Sequence, residues 1–440
     1  MTKVAEVLDE KDDMPDGQGS LTLADGTRYK GGFSKGMEEG DGVMLTRDGE
    51  PVDEILELVK GYQVERVFPI DTRSEEKARK EGLHLWYVVR FSDEYPVEKV
   101  AADLAQLGEV SRVEYNRTLK RAETGKAVPL TREAMKQMKA SAKAAKFNDT
   151  HLGLQWHLVN NGDLGQTKFV AGADVNVEKA WDLCTGDPSV VVAILDEGFD
   201  ITHPDLKGSL WTNENEVWRS VDDNDGNGYA GDYHGYNFAA GNGVISTGGR
   251  YDTGHGTHVA GVIAATNNNN IGISSIAGGN GTEPGVKIMS CQIFSGSIAA
   301  TVLDEVRAIK YAADNGAVIL QCSWGYISGA ANPYDWSPQF STSEQWKNSN
   351  VLEFKALDYF VHNAGSPDGV IDGGIIVFAA GMRRQLVSLQ HILIISQLQQ
   401  QHRTIPRLYI PTMVQALLFQ LQVETRTTIM NMVKASIGER

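Results

Sequence analysis

The sequence predicts an α/β protein: a doubly wound parallel sheet, incomplete at its C-terminal end, preceded by a small α+β domain. Three observations carry this. Between residues 151 and 381, continuous apolar runs alternate with amphipathic stretches, as do strands buried on both faces and joined by crossover helices. Residues 53–122 instead combine short strand patterns with one helical pattern. At residue 382 the composition changes abruptly. Residues 1–381 hold 45 glycines and 10 glutamines, whereas 382–440 hold one glycine and 9 glutamines. The tail carries 7 Lys/Arg against 2 Asp/Glu, so it is basic while the rest of the chain is strongly acidic.

The elements follow in order. In 1–52, "GQGSLTLADG" (17–26) is echoed by "GDGVMLTRDG" (40–49), with "YKGGFSKGMEEG" between them. A strand, an Asp-Gly turn and another strand suit each copy, and the pattern resembles one or two degenerate MORN-type repeats. In 53–122, "YVVRF" (87–91) and "VSRVEYN" (110–116) read as strands, and "VEKVAADLAQLG" (97–108) as an amphipathic helix stopped by glycine. Residues 123–150, rich in Lys, Ala and Thr, read as a solvated linker open to proteolysis. From 151 to 381, "SVVVAIL" (189–195), "VKIMSCQIF" (286–294), "AVILQCSWG" (317–325) and "GGIIVFAAG" (373–381) are strands. "HGTHVAGVIAAT" (255–266) and "ATVLDEVRAIKYAADNG" (300–316) are helices, the second ending at Asn-Gly. Ligands of such sheets bind beyond the carboxyl ends of the strands.

Composition excludes several classes. A net charge of −16 argues against a nucleic-acid partner. No run of 18 apolar residues predicts a membrane span, and the first residues show no apolar core of a signal peptide. Cys184, Cys291 and Cys322 are widely spaced and read as buried free thiols rather than a disulfide or metal framework.

Candidate chemistry lies where the strands end. Asp196 closes the first buried run in "AILDEGFDITHPDL", and His255 opens a helix between Gly254 and Gly256. A carboxylate that holds an imidazole, which activates a hydroxyl, is the logic of serine hydrolases. The competing metallohydrolase reading rests on His255 and His258, but the Glu of H-E-x-x-H is absent. "DDNDGNGYAGD" (222–232) sets Asp223, Asp225 and Asn227 at alternate positions before Gly228, like the first half of a calcium loop. His234 stands where the closing Glu belongs, and Asp232 is the candidate substitute. The alternative is a plain acidic turn.

These motifs strongly resemble the subtilisin-like serine proteases (subtilases). "ILDEGFDITHPDL" resembles the family's Asp motif and "GHGTHVAGVIAA" its His motif. The resemblance implies Asp196 and His255 as catalytic residues of a serine endopeptidase. It implies that Ser323, Trp324 and Gly325 pair with a peptide substrate as an added strand, with Ser295 and Gly296 lining the opposite side of the cleft. It implies an inhibitory propeptide at 53–122, structural calcium, and a secreted or cell-surface location. A second calcium site is implied at Asp205 with Asn269 and the carbonyls of Ile271 and Ile273; His258 would pack behind the helix.

Two of the family's parts are missing. Its oxyanion Asn follows "AAG", where this chain has Met382; losing such a donor costs about 3–4 kcal/mol of barrier. Its nucleophile lies in a Gly-Thr-Ser-x-Ala segment, and Ser388, Ser396 and Ser436 have no such setting. The expectation is a protease without activity as written, its tail produced by a frameshift. The alternatives are a peptide-binding decoy and a C-terminal module of its own.

Overall fold

The computed structural model describes residues 63–121 and 146–379, apart from 93, 107–109, 163–169, 248–251 and 326–342, and the strands between Val4 and Leu45 by backbone alone. The chain divides into two compact units, Met1–Val67 with Leu85–Tyr115, and Phe68–His84 with Asn116–Arg440.

In the first unit, β1 (Val4–Val7), β4 (Gly17–Thr22), β5 (Arg28–Ser34) and β6 (Met37–Leu45) form an antiparallel sheet in that order. The short strands β2 (Glu10–Lys11) and β3 (Met14–Pro15) make a separate pair. The two echoing copies fall on β4 and β6, on either side of β5. β7 (Gln63–Arg66) pairs antiparallel with β8 (Tyr87–Arg90), and a helix spans Val97–Leu104. The strand expected at 110–116 does not form. Its charged residues Arg112 and Glu114 pair with each other at 3.3 Å, and little of the segment is buried, so nothing offsets the cost of ordering it.

The second unit holds β9 (Lys120–Arg121), β10 (Val191–Glu197), β11 (Gly235–Asn237), β12 (Lys287–Phe294), β13 (Ala317–Cys322), β14 (Trp324–Gly325) and β15 (Ile375–Phe378). Its helices are α1 (Glu75–Lys80), α2 (Val177–Trp181), α3 (His255–Ala264), α4 (Val302–Asp314), α5 (Ser343–Ser349) and α6 (Val351–Asn363). Five strands make one parallel sheet, in the order β11-β12-β10-β13-β15. All seven residues of β10 are buried, as its unbroken apolar pattern requires. Val192 and Ile194 pack with Ala260, Ile263 and Ala264 of α3 in one core. The alternate residues Val191, Ala193 and Leu195 face the other side, where α4 covers the sheet with Val306 and Ile309 fully buried.

α4 starts at a capping box. Thr301 Oγ1 accepts from the Asp304 backbone, and the Asp304 side chain accepts from the Thr301 backbone. It stops at Asn315-Gly316, where Gly316 takes φ +86. The 68–84 arm is fastened to α4 and α6 through Asp314, whose carboxylate accepts from Ser74 Oγ at 2.9 Å, Lys310 Nζ at 2.5 Å and Tyr359 Oη at 2.6 Å. The chain leaves β10 towards β11 and β12 on one side and returns to β13 on the other. The crevice therefore opens at the end of β10, where the register against β12 slips between Asp196 and Glu197. No helix among the described residues is long and apolar enough to cross a membrane.

One packing feature sets an acid limit. Burial, helped by the nearby His258, pushes the His157 imidazole down to about 4 from its usual 6.5. The fold therefore prefers the neutral ring, and the stability this gives above pH 6.5 is lost as pH falls towards 4. In urea melts, His157→Gln is expected to lose roughly 2 kcal/mol less than the natural chain between pH 7 and pH 4.5.

Candidate active site

Asp196 sits at the bulged carboxyl end of β10, 1% exposed. His255 Nδ1 lies 2.8 Å from its Oδ1 and 2.9 Å from its Oδ2, and Oδ1 also accepts from the Glu197 N–H at 2.7 Å. A buried ionised carboxylate only accepts hydrogen bonds, so Nδ1 carries the proton and Nε2 is the basic nitrogen. The ring is partly open, its side chain 24% exposed. Such a couple can take a proton from a hydroxyl or a water, with Asp196 stabilising the imidazolium that results.

The sequence reading missed Glu197. It is 2% exposed, and its carboxylate accepts from the N–H groups of Thr253 and His255 and from Thr253 Oγ1. It thereby fixes the entry to α3 and the placement of the imidazole. The two glycines beside His255 differ in use. Gly254 takes φ +80 in open space and supplies the left-handed turn before the helix. A Cβ on Gly256 would lie 2.2 Å from the Glu197 carbonyl oxygen, so only glycine lets α3 approach the strand. His258 is exposed by area, yet its ring lies near His157 and burial, with the nearby His255, holds its imidazole below the usual value. Neither histidine belongs to a cluster of three metal-ligating side chains among the described residues.

β14, which contains Trp324 and Gly325, is paired antiparallel with β9 of the same chain, Trp324 opposite Arg121 and Gly325 opposite Lys120. Trp324 is buried, edge-on to Phe378 at 5.3 Å, and Ser323 Oγ accepts from Gln321 at 3.1 Å. On its other side, the segment touches Ala300 and Thr301. Leu119 N–H donates to the Ala300 carbonyl at 2.8 Å, and Thr118 bridges Thr301. Ser295 and Gly296 lie earlier in that loop and are otherwise engaged. Ser295 Oγ meets Asn237 and Ser246, while Gly296, at φ +58, donates its N–H to Asp252.

The acidic loop gathers a different set from the one its spacing predicts. Glu216, Asp225 and Asp232 place carboxylate oxygens within 4.8 Å of one another. Asn213 and Asn227 each donate to both Asp225 and Asp232. Asp223 stands apart, exposed, its oxygens taken by the N–H groups of Asn227 and Gly228. Burial pushes the Asp232 carboxyl up to about 6, and Glu216 Oε2 is buried without a hydrogen-bond partner. Three crowded, buried carboxylates with one oxygen unmet fit a hard cation with oxygen ligands. Arg73 of the 68–84 arm reaches Asp225 at 3.2 Å.

Asp205 accepts from Asn269 Nδ2 at 2.7 Å and from the N–H of Ile273 at 3.2 Å. Asn269 Oδ1 is held by the Ile271 N–H. Asp149, which the sequence reading did not single out, accepts from Asn268, Asn269 and Ser274. Asp205 and Asp149 are thus both met by donors of this loop. Met382, Ser388, Ser396, Ser436 and the linker expected at 123–145 lie outside the described residues.

The family model described as "Subtilase family" matches residues 187–410, a little over half of the 440 and past the change of composition at 382. Halolysin of Haloferax mediterranei is 34% identical over 183 residues, 42% of this chain and 29% of its own length. The calcium-dependent protease of Trichormus variabilis is 32% identical over 228 residues, 52% of this chain and 28% of its own. The cell wall-associated protease of Bacillus subtilis is 26% identical over 292 residues, 64% of this chain and 27% of its own. The chain thus matches less than a third of the length of each. The crystal structure of fervidolysin from Fervidobacterium pennivorans aligns with 72% of this chain and 39% of its own, at 17% identity and a TM-score of 0.35.

The contact at Gly256 yields a direct test. Gly256→Ala is expected to lower unfolding stability by about 1–3 kcal/mol, because backbone must move to admit the methyl group. Gly254→Ala should cost about 1 kcal/mol through its positive φ alone. Chemical denaturation of the two variants side by side checks the order.

Proposed function

The chain belongs to the subtilase family, and on that premise we propose that it is built as a serine endopeptidase made as a proenzyme. The observation that carries this is the hydrogen bond from His255 Nδ1 to Asp196, at the open end of a parallel sheet. In this reading Asp196 orients and stabilises the imidazole, and His255 is the general base for a serine. Residues 53–122 act as the propeptide, and its last part lies against β14 as a substrate would, one strand added to another. Ser323, Trp324 and Gly325 are then the substrate-binding strand. Ser295 and Gly296 shape the loop that leads to the Ala300–Thr301 edge. Protein or peptide substrates follow from the same geometry, and the location is extracellular or at the cell surface.

Calcium is the cation proposed for Glu216, Asp225 and Asp232, with Asn213 and Asn227 around it. A bound ion would neutralise the crowded carboxylates and stiffen the loop that the 68–84 arm touches. Its only role here is structural.

Residues 382–440 are read as an out-of-frame tail. Support comes from the loss of glycine, the reversal of charge, Met382 in place of the oxyanion donor, and the lack of a Gly-Thr-Ser-x-Ala segment. The chain as written is then inactive. A second reading, a peptide-binding decoy, is favoured by one observation: the pairing of β9 with β14 needs no nucleophile.

Two measurements test these proposals. A fluorophosphonate probe is expected to label nothing; labelling of any serine in 382–440 would overturn the reading of the tail. Resequencing around codon 382 separates the other two: a one- or two-base change that restores Asn after "AAG" supports a broken protease, and a confirmed frame supports the decoy. For calcium, the melting temperature should rise between chelator and millimolar calcium, and Glu216→Gln should reduce the rise. An equal rise in the variant would remove the ion from this cluster.

A further inference from the structure

Glu305 on α4 is 0% exposed, and both of its carboxylate oxygens are buried without a hydrogen-bond partner. Glu353, in the first turn of the neighbouring α6, is 3% exposed, and Asn350, which precedes that helix, is 0% exposed. Burial and the charge of Glu353 push the Glu305 carboxyl up, and Arg117 opposes them. Two acids buried together without a counter-charge are strongly unfavourable. Arg117 supplies the counter-charge. Its Nη2 lies 3.8 Å from Glu353 Oε2 and donates to Asn350 Oδ1. Its side chain is 18% exposed, so the guanidinium is enclosed rather than laid on the surface.

Arg117 does not belong to the walls of this pocket. It is part of the 116–121 segment, which lies between the Ala300–Thr301 edge and β14. The acceptors come from α4 (Glu305), from α6 (Glu353) and from Asn350 just before α6, and the segment contributes the side chain that reaches them. Arg121 is opposite Trp324, so the pocket takes the residue four places before the one opposite Trp324. Any other peptide laid in the same register would present its corresponding side chain there. Two carboxylates and an amide oxygen suit a guanidinium fork better than an ammonium group, which is a compact point charge.

We propose that Glu305, Glu353 and Asn350 form a guanidinium-binding subsite that selects substrate peptides with arginine four residues ahead of the position opposite Trp324. Arg117 fills it as an internal stand-in. The proposal rests on the reading of β14 as the strand that takes substrate, and the test separates the two.

The first arm uses the full chain carrying Arg117→Ala, which empties the pocket. N-acetylarginine amide is expected to raise its melting temperature in a saturable manner, and N-acetylcitrulline amide, of nearly the same shape without the charge, is not. Adding Glu305→Gln and Glu353→Gln to the variant should abolish the response. If the variant folds only with help, recovery of folded protein on dialysis with the arginine or the citrulline compound gives the same comparison. Equal responses to the two compounds, or a response that survives the Gln changes, would overturn the proposal. The second arm uses the natural full chain and two capped hexapeptides, one with the sequence of residues 116–121 and one with alanine in place of the arginine that corresponds to Arg117, the arginine that corresponds to Arg121 being kept in both. Exchange protection of β14 reports how they compete with the internal segment. The arginine peptide should compete at least about tenfold better; equal competition overturns the subsite and leaves the added-strand reading intact. If neither peptide competes, the added-strand reading fails, and with it the selection of substrate arginine, even where the first arm shows a guanidinium pocket.

Discussion

A carboxylate at the inner end of a strand buried on both faces must be met by donors, and the rest of the site is arranged around meeting Asp196. His255 supplies one donor and the Glu197 backbone another. To bring the imidazole there, α3 must begin against the end of β10, closer than any residue but glycine permits at 256. The register slip after Asp196 lets consecutive acids serve two ends. Asp196 takes the ring, and Glu197 takes the backbone that leads to it. Neither could be replaced by a neighbour without moving the helix.

Much of this was legible in the sequence because it is local. An unbroken apolar run ending in Asp, and a helix pattern opening at His between glycines, each lie within about a dozen residues and obey the periodicities of strand and helix. The order of the main strands and the stop of α4 at Asn-Gly were readable for the same reason. What failed was non-local. Spacing within 222–232 singled out Asp223, Asp225, Asn227 and Asp232; the fold gathers Asp225 and Asp232 with Glu216, which arrives from upstream and which spacing could not reveal, while the oxygens of Asp223 accept from its own turn. At 267–273 the residue types placed Asn269 beside Asp205, and the Ile273 N–H joins them from farther along the loop. The pattern at 110–116 promised a strand, yet no ladder partner meets it among the described residues.

The buried charges show how the parts of the second unit depend on one another. Asp314 fastens the 68–84 arm through Ser74, and Arg73 of the same arm reaches the acidic cluster at Asp225. Arg117 answers Glu305 and Glu353. In each case a group from before residue 122 joins the partners of an acid that lies after it, beside local donors such as Lys310 and Tyr359 at Asp314 and Asn213 and Asn227 at Asp225. Segments before residue 122 that belong to the second unit thus contribute partners to its buried acids.

The start of α4 has a consequence of this kind. Its first two N–H groups are met from the 116–121 segment, Val302 by the Arg117 carbonyl and Leu303 by Asn116 Oδ1. The next, that of Asp304, is met by Thr301 within the helix's own capping box. A helix that relied wholly on the segment would unwind when the segment left. This one keeps a stop of its own and hands only two donors back to water. The segment is attached in the manner of a plug, which can be withdrawn while the socket holds its shape.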